Sequence, residues 1–220
     1  EFGADQVILA TGATWSLDGV GRQNPMGIPR QEGAPLLSVE DVMKGKRPHG
    51  PGLVFDDDHY YMGGAIAEKL LKAGCEVHFV TPASEVSSWT NHTLEQRFVQ
   101  KNLMQAGAQL HLSHTIQELR TDAAVLACVY TGRETHLKGA TSVLVTMRRP
   151  NDALYQSLAA DGFPNLTRIG DALGPSTIAA AIYSGHLAAR ELGEPDVQGV
   201  PFDRELSELS PNWRQPGRIL

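Results

Sequence analysis

The middle of the chain alternates between a buried strand, an amphipathic helix and a second buried strand. The first apolar run is GLVFD at 52–56, and the second is CEVHFVT at 75–81. Between the two runs, four apolar residues recur at the spacing of one helix face: Ile66, Ala67, Leu70 and Leu71. A strand–helix–strand unit of this kind is normally right-handed and joins parallel strands. The sequence therefore predicts an α/β fold built on a parallel sheet.

Short strands and helices are predicted on both sides of this unit. The predicted strands are 5–10, 108–112, 115–119, 123–131, 133–137, 142–147 and 166–171, and the predicted helices are 91–106, 152–160 and 176–192, with one helical turn capped by Ser38. Thr90 or Asn91 is expected to cap the helix at 91–106. Its buried stripe is expected to consist of Leu94, Phe98 and Leu103. The Gly- and Pro-rich stretch at 44–52 marks a domain linker.

The composition excludes several classes of protein. The 220 residues are 41% hydrophobic and 20% charged, which is ordinary for a globular chain. A net charge of −6 argues against a nucleic-acid binder that works through a basic face. No apolar run approaches the roughly 20 residues of a membrane-spanning helix. The two cysteines, Cys75 and Cys128, exclude a disulfide framework and a four-cysteine cluster made by this chain alone.

The first residues also bear on where the protein works. The chain opens on EFGADQVILATGA, which is typical of a buried strand and not of a signal peptide. It carries no initiator Met. We therefore expect a cytoplasmic protein, and a fragment of a longer polypeptide.

The loop after the first central strand departs from the glycine-rich sequence that binds a dinucleotide. Such a loop needs Gly at the tight turn, Gly where the backbone meets the pyrophosphate, and Gly where the helix packs on the strand. Here it reads DDDHYYMGG, which places Asp58, Tyr60 and Gly63 at these positions. With Asp56 and Asp57 the loop would be anionic, and each like-charge contact at about 4 Å would cost about 4 kcal/mol at an effective dielectric near ~20. We predict a nucleotide-type unit that has lost its nucleotide.

Other charged and histidine residues give weaker signals. The carboxylates of the aspartate run are compatible with a cation site. Adjacent residues of a strand point to opposite faces, however, so the three carboxylates could not all bind one ion. The other interpretation is a solvated or tyrosine-bonded turn. His111 and His114 are close enough in the sequence to bind a metal ion together, but they could equally lie on opposite faces of a strand or in a turn. His78 is expected to be structural or solvent-facing. Arg148 and Arg149 follow a strand and could contact a carboxylate or phosphate, but a solvated pair is the preferred interpretation. We predict no metal-ligating and no catalytic residue in this chain.

Two short motifs far apart in the chain indicate a second crevice. ILATGAT at 8–14 and LTRIGDA at 166–172 each read as a strand that ends in a turn of small residues. In an open parallel sheet, ligands lie beyond the carboxyl ends of the strands. Asp171 could accept hydrogen bonds there from a ribose or polyol hydroxyl. A helix beginning near Thr177 would point its N-terminal amides at a pyrophosphate.

The order of these motifs resembles a known fold and family. ILATGA, the strand–helix–strand unit, VLVTMRRPN and TRIGDALGPSTIAAAIYSGHLAAREL follow one another as in the flavoprotein disulfide reductases, which have two nucleotide-binding domains. VFDDDHYYMGGAIAEKL and SSWTNHTLEQ are similar to the C-terminal part of the trimethylamine, dimethylamine and histamine dehydrogenases. Those proteins are iron–sulfur flavoproteins with an N-terminal TIM barrel. They are related to 2,4-dienoyl-CoA reductase and other NADH:flavin oxidoreductases.

The resemblance implies a three-layer α/β fold of the FAD/NAD(P)-binding type, with parallel sheets and an inserted NAD-like domain. Residues 1–48 and 148–195 would form a partial FAD- or ADP-binding domain, 49–147 a degenerate NAD-like domain, and 196–220 a C-terminal tail. The resemblance also implies that six residues line the FAD or ADP site: Thr11, Gly12, Gly170, Asp171, Ala172 and Thr177.

The resemblance implies a function for the longer protein. It would oxidise an amine or a related small substrate at FMN, with FMN and a 4Fe-4S cluster on the missing TIM barrel, against which this chain would pack. Electrons would pass to an electron-transfer flavoprotein, and the protein would form a homo-oligomer. The isolated chain is expected to be inactive. The degenerate loop favours this branch over an NAD(P)H-dependent flavin oxidoreductase of the dienoyl-CoA reductase type. A non-catalytic assembly scaffold is the third interpretation.

Overall fold

The structure, a computed structural model, describes residues 3–193. The strands in these residues are β1 Val7–Leu9, β2 Ala13–Trp15, β3 Leu36–Leu37, β4 Gly52–Asp56, β5 Val77–Thr81, β6 Gln109–Leu112, β7 His114–Leu119, β8 Ala123–Cys128, β9 Glu134–Lys138, β10 Thr141–Val145, β11 Arg148–Pro150 and β12 Leu166–Arg168. The α-helices are α1 Val39–Met43, α2 Tyr61–Lys72, α3 Gln96–Gln105, α4 Ala153–Ala160 and α5 Ile178–Arg190. The predicted tail at 196–220 lies outside the described residues, as do residues 1, 2, 194 and 195 of the predicted outer domain.

Five parallel strands form the main sheet, in the order β3–β10–β4–β5–β6. The two central strands β4 and β10 are buried along their whole length. Continuous burial is expected because a parallel sheet is covered on both faces. Helix α2 connects β4 to β5, so the predicted strand–helix–strand unit with parallel strands is confirmed.

Side chains alternate across the main sheet and build two cores. On one face, Val54 packs in a cluster with Ile66 of α2. On the other face, Leu53 and Phe55 pack in a cluster with Leu126 of β8. Strand β8 is the middle strand of an antiparallel sheet, β7–β8–β9. The main sheet is thus covered by helices on one face and by a second sheet on the other.

Strand β3 and helix α1 belong to this layered unit. β3 pairs with β10, and Val39 and Val42 of α1 lie in the core on the helical face. Ser38 caps α1, because its hydroxyl accepts a hydrogen bond from the N–H of Asp41 (2.9 Å), as the sequence predicts. These residues precede the domain boundary that we expected at residue 48.

The helix predicted at 91–106 begins later than expected. A 3₁₀ turn at Ser88–Thr93 comes first, and Leu94 then adopts a left-handed φ of 62° before α3 begins. The hydroxyl of Thr90 donates to Ser87 O (2.7 Å) inside that turn, so Thr90 does not cap α3. Neither does Asn91, which lies within the turn.

The break at Leu94 changes which side chains are buried. Leu94 is 82% exposed and Phe98 is 50% exposed, whereas Leu103 is 1% exposed. The predicted buried stripe is therefore correct for Leu103 alone, because α3 begins two residues after Leu94 and buries Gln96 and Leu103 instead.

A smaller unit flanks the main sheet. β1 and β12 form a two-stranded parallel sheet next to α4 and α5, and β2 pairs with β11 in an antiparallel sheet. No residue of α4 or α5 in the described part of the chain is buried. Within residues 3–193, no helix combines the length and apolar sequence needed to cross a bilayer.

Candidate functional site

The two-stranded parallel sheet places the ends of the two sequence motifs side by side. β1 and β12 pair with Val7 beside Leu166 and Leu9 beside Arg168. Because the strands are parallel, both end at the same edge, where the N–H of Ile169 donates to Leu9 O (3.0 Å). The six residues expected to bind a nucleotide all follow these two strand ends.

Gly170 begins a tight turn at the carboxyl end of β12. Its φ is +58°, which glycine adopts without strain. Its N–H donates to Ser184 Oγ of α5 at 2.7 Å, and a Cβ on Gly170 would lie 3.6 Å from Ala181 Cβ. Ala172, in the same turn, is fully buried. Gly170 therefore packs closely against α5, and the Ala172 side chain is shielded from solvent inside the loop.

Asp171 is held by an arginine from the neighbouring β11. Arg148 Nη1 donates to Asp171 Oδ2 and Nη2 donates to Ser176 O, both at 2.8 Å. The N–H of Ser176 donates to Asp171 Oδ1 (3.1 Å). The Arg148 guanidinium lies 5.7 Å from the ring centroid of Trp15. Arg148 thus binds both ends of the loop that runs from Asp171 to Ser176.

Thr177 ends this loop and caps α5. Its hydroxyl accepts a hydrogen bond from the N–H of Ala180 (3.3 Å). A helix N-terminus carries partial positive charge and orients its first amides along the axis. Ile178, the first residue of α5, is 80% exposed, so this end of the helix is accessible from solvent.

Thr11 and Gly12 are held by a different neighbour. The hydroxyl of Thr11 donates to Asn151 O, the Asn151 side-chain amide donates to Thr11 O (3.2 Å), and the Asn151 N–H donates to Gly12 O (2.9 Å). Gly12 has a φ of +75°. The structure therefore brings Gly170, Asp171, Ala172 and Thr177 together on one loop, and it fixes Thr11 and Gly12 on Asn151 at the adjacent strand end.

This edge has open space beside its glycines and an exposed polar group. A Cβ added to Gly12 or Gly174 would meet nothing within 4 Å. Asp171 remains 24% exposed, and a carboxylate can accept further hydrogen bonds beyond the two described. A carboxylate for hydroxyl groups and a helix N-terminus for phosphate fit the chemistry of a nucleotide diphosphate.

The loop after β4 differs, because several of its backbone N–H groups are already paired within the chain, although Asp56 Oδ2 and Asp57 Oδ1 are buried without a hydrogen-bond partner. Asp56 Oδ1 accepts the N–H of His59 (3.0 Å), and the N–H groups of Asp57 and Asp58 both donate to Val145 O. A Cβ on Gly63 would lie 2.5 Å from Asp56 Cγ. Gly63 thus has the role predicted for the third glycine, the close packing of helix on strand.

A segment of the chain itself fills the space in front of this loop. The N–H of Gln23 donates to Asp57 Oδ2 at 2.9 Å. A Cβ on Gly21 would lie 2.3 Å from that same oxygen. The Arg22 guanidinium, in the same segment, lies 4.0 Å from the ring centroid of Trp89. The solvated or tyrosine-bonded turn expected here is wrong for Asp56 and Asp57, which are fully buried and accept hydrogen bonds from the backbone amides of His59 and Gln23. Asp58 is half-buried, and the backbone N–H of Tyr60 is hydrogen-bonded to it.

Burial also changes the charge of this loop. Desolvation raises the pKa of Asp56 to about 8, with the neighbouring carboxylates adding to the effect, so Asp56 holds its proton at neutral pH. Burial raises the pKa of Asp57 and of Asp58 as well. The repulsion between three full charges that we expected is therefore overestimated. Packing and saturated amides are the stronger obstacles to a phosphate at this loop.

The two arginines after β10 take the alternative that the sequence left open, contact with a carboxylate. Arg148 binds Asp171, and Arg149 binds Ser16 Oγ and the carboxylate of Asp18. The preferred interpretation, a solvated pair, is wrong for Arg148 and correct in part for Arg149, whose side chain is 56% exposed. Sequence reasoning missed that Arg148 binds the candidate loop. The signal was present, since two arginines directly follow a buried strand at the edge where strand ends meet.

Comparison with known proteins gives consistent results. Residues 37–140 match the family described as the OYE-like second alpha/beta domain. The dimethylamine dehydrogenase of Hyphomicrobium sp. (strain x) is 30% identical over 234 aligned residues, which cover 93% of this chain and 32% of that protein.

Solved structures show the same relationship. The histamine dehydrogenase of Rhizobium sp. 4-9 is 37% identical with a TM-score of 0.84, and the match covers 96% of this chain and 34% of that protein. The 6-hydroxypseudooxynicotine amine oxidase of Pseudomonas geniculata N1 is 37% identical with a TM-score of 0.82, covering 88% and 30%. The chain thus spans about a third of the length of these relatives.

Proposed function

This chain belongs to the family of the trimethylamine, dimethylamine and histamine dehydrogenases, and we propose that it is the nucleotide-binding C-terminal part of a flavin-dependent amine dehydrogenase. The whole protein, called the parent below, would oxidise an amine or a related small substrate and pass the electrons to an electron-transfer flavoprotein. FMN and a 4Fe-4S cluster, on the TIM barrel of the parent, would supply the redox chemistry. The parent would be a homo-oligomer.

In this proposal the chain has two units with different tasks. The layered unit around the five-stranded sheet is the NAD-like domain, and the pairing of β3 with β10 supports a start near residue 36 and not at 49. The flanking unit, with β1, β12, α4 and α5, is the partial FAD- or ADP-binding domain. Together they correspond to a three-layer fold of the FAD/NAD(P)-binding type.

The chain's own residues would bind FAD or ADP at the edge of β1 and β12. Asp171 would accept hydrogen bonds from the ribose, and the start of α5 after Thr177 would face the phosphates. Gly170 and Ala172 would keep the loop close to α5, and Thr11 and Gly12 would leave room for the nucleotide at the neighbouring strand end.

The observation that carries this proposal is the contrast between the two loops. The loop after β12 offers an accessible carboxylate and helix end, whereas the loop after β4 is filled by Gly21 and Gln23 and has its amides paired. This contrast supports the amine dehydrogenase interpretation over an NAD(P)H-dependent flavin reductase, which would need the second loop for its cofactor.

The test is the nucleotide content of the purified parent. Parent carrying Asp171→Ala is expected to retain less FAD or ADP than the unaltered parent, measured by chromatography of the nucleotides released on denaturation. Parent carrying Asp58→Asn, a change in the other loop, is expected to keep its nucleotide.

Three results would contradict the proposal. Equal losses in the two variants would place the nucleotide elsewhere. Micromolar binding of NADH or NADPH to the parent would support the flavin reductase instead. A parent without flavin absorbance would support a non-catalytic scaffold.

A further inference from the structure

The antiparallel sheet β7–β8–β9 has an edge that no other strand within residues 3–193 covers. β9 lies at this edge and pairs with β8. Its five residues read ETHLK, and Leu137 among them packs against the core between the two sheets. An edge strand presents a row of unpaired backbone groups, which form a template for a further strand.

The hydrogen bonds to β8 determine which backbone groups of β9 point outwards. The residues that flank β9 face β8: Arg133 O accepts an N–H of β8 (3.0 Å), and the Gly139 N–H donates to the residue before β8 (2.7 Å). Successive residues of an antiparallel strand face alternately towards and away from their neighbour. The register of β8 and β9 is regular, so the N–H and C=O groups of Glu134, His136 and Lys138 point away from β8.

The same three residues place their side chains on the solvent face of the sheet. Side chains alternate along a strand, and Leu137 points into the core, so Glu134, His136 and Lys138 share the opposite face and are exposed. The Glu134 carboxylate lies 3.6 Å from His136 Nε2. Lys138 makes no ion pair with any residue in the described part of the chain. The strand thus carries an anion at one end and a free cation at the other.

This edge is complementary to itself. Two copies of β9 that pair antiparallel about His136 place Glu134 of each copy directly opposite Lys138 of the other. All three positions have outward backbone groups, so each facing pair can exchange both of its hydrogen bonds. Opposite charges that face each other across two strands stabilise the pairing.

Other antiparallel registers lose this match. A slip of two residues places His136 opposite Glu134 or Lys138 and removes both Glu–Lys pairs. A slip of four residues places Glu134 opposite Glu134, or Lys138 opposite Lys138, and like charges in direct opposition destabilise a strand pair. A lysine on an edge strand discourages pairing with unrelated strands. Together with Glu134, Lys138 therefore selects one partner and one register.

We propose that β9 is a contact between two copies of this chain, which pair their β9 strands antiparallel about a two-fold axis at His136. Such a contact is isologous, because each copy uses the same surface. Three strands from each copy would form one continuous antiparallel sheet. The contact is small, so the association is expected to be weak. It lies on the layered unit, away from the nucleotide edge, so its failure would leave the proposed nucleotide binding unaffected.

Sedimentation equilibrium of the full chain at micromolar to millimolar concentrations tests the proposal. A monomer–dimer equilibrium is expected. Glu134→Lys and Lys138→Glu are each expected to weaken the dimer at least about tenfold, because each places like charges opposite one another at two positions. The double variant Glu134→Lys with Lys138→Glu restores opposite charges across the axis and is expected to recover the dimer. Lys101→Glu, an identical charge change at an exposed residue of α3, is the control and is expected to leave the dimer unchanged.

Hydrogen exchange of the unaltered chain covers the case in which a variant fails to fold. The amides of Glu134, His136 and Lys138 are expected to be protected at high chain concentration and not at low concentration. The amides of Thr135 and Leu137, which face β8, are expected to exchange alike at both. A chain that stays monomeric, a dimer that survives both charge reversals, a double variant that does not recover the dimer, or outward amides that exchange alike at all concentrations would each overturn the proposal.

Discussion

The carboxyl group of Asp56 lies where a side chain on Gly63 would have to begin: a Cβ on Gly63 would be 2.5 Å from Asp56 Cγ and 2.8 Å from its Oδ1. Asp56 ends β4 and Gly63 is in the first turn of α2, so this contact sets how closely the helix approaches the sheet. Both residues are buried, and neither can move without displacing the core.

Gly63→Ala is expected to destabilise the chain by about 1–3 kcal/mol, because the added methyl group forces α2 away from β4. Urea unfolding followed by circular dichroism measures the change. Gly185→Ala, in α5, is the matched control, since a Cβ there meets nothing within 4 Å. The control is expected to be neutral or stabilising. Equal stabilisation of both variants would show that helix propensity outweighs packing at Gly63.

The raised pKa of Asp56 predicts a pH dependence of stability. Its pKa is about 8 in the folded chain against an ordinary value of 3.8, so the folded state holds a proton that the unfolded state releases between these values. The stabilising contribution is complete below about pH 4 and is lost as pH rises to about 8.

Asp56→Asn removes this titration and leaves a side chain of similar size. The stability of the variant relative to the unaltered chain is therefore expected to increase from pH 5 to pH 8, measured as unfolding free energy at matched pH values. Parallel pH profiles for the two proteins would show that Asp56 is ionised throughout.

Arg148→Met is expected to loosen the loop between Asp171 and Ser176, because it removes both hydrogen bonds of the guanidinium. The loss of stability is expected to be about 1–3 kcal/mol. Hydrogen exchange at residues 170–177 is expected to accelerate. Arg168→Met, which breaks the ion pair of Arg168 with Asp152, is the control and should leave exchange in that loop unchanged. Accelerated exchange in both variants would indicate a general loss of stability.

Leu94→Gly is expected to stabilise the chain relative to Leu94→Ala by about 0.5–1 kcal/mol. Leu94 has a φ of 62° and is 82% exposed, so it contributes backbone strain and little packing. Glycine relieves the strain, and part of that gain is offset by the entropy of the unfolded chain. Thermal unfolding of the two variants measures the difference. Equal stability would show that the left-handed conformation costs little at this position.

The elements that local pattern determines could be predicted from the sequence. The unit β4–α2–β5 follows from hydrophobic periodicity, and the capping of α1 follows from the spacing of Ser38 and Asp41. The start of α3 could not be predicted, because the left-handed turn at Leu94 depends on packing around the 3₁₀ turn and not on a glycine.

The candidate site shows the same division. Asp171 and Arg148 could each be selected from their places after a strand, but the pairing of the two could not, since the contact depends on how two sheets meet. The charge of the loop after β4 was misjudged for a related reason. A row of aspartates predicts repulsion only if the side chains stay ionised, and burial raises the pKa of Asp56 to about 8.

Arg148 and Arg149 lie in β11, just after β10, and each binds a carboxylate within the smaller unit to which β11 belongs: Arg148 binds Asp171, and Arg149 binds Asp18. These ion pairs stabilise the smaller unit itself. The two stretches of chain that join this unit to the main sheet pass through Ser16 and Met147, and the N–H of Ser16 donates to Met147 O (2.9 Å). Any rotation of the smaller unit would therefore have to bend both stretches at once.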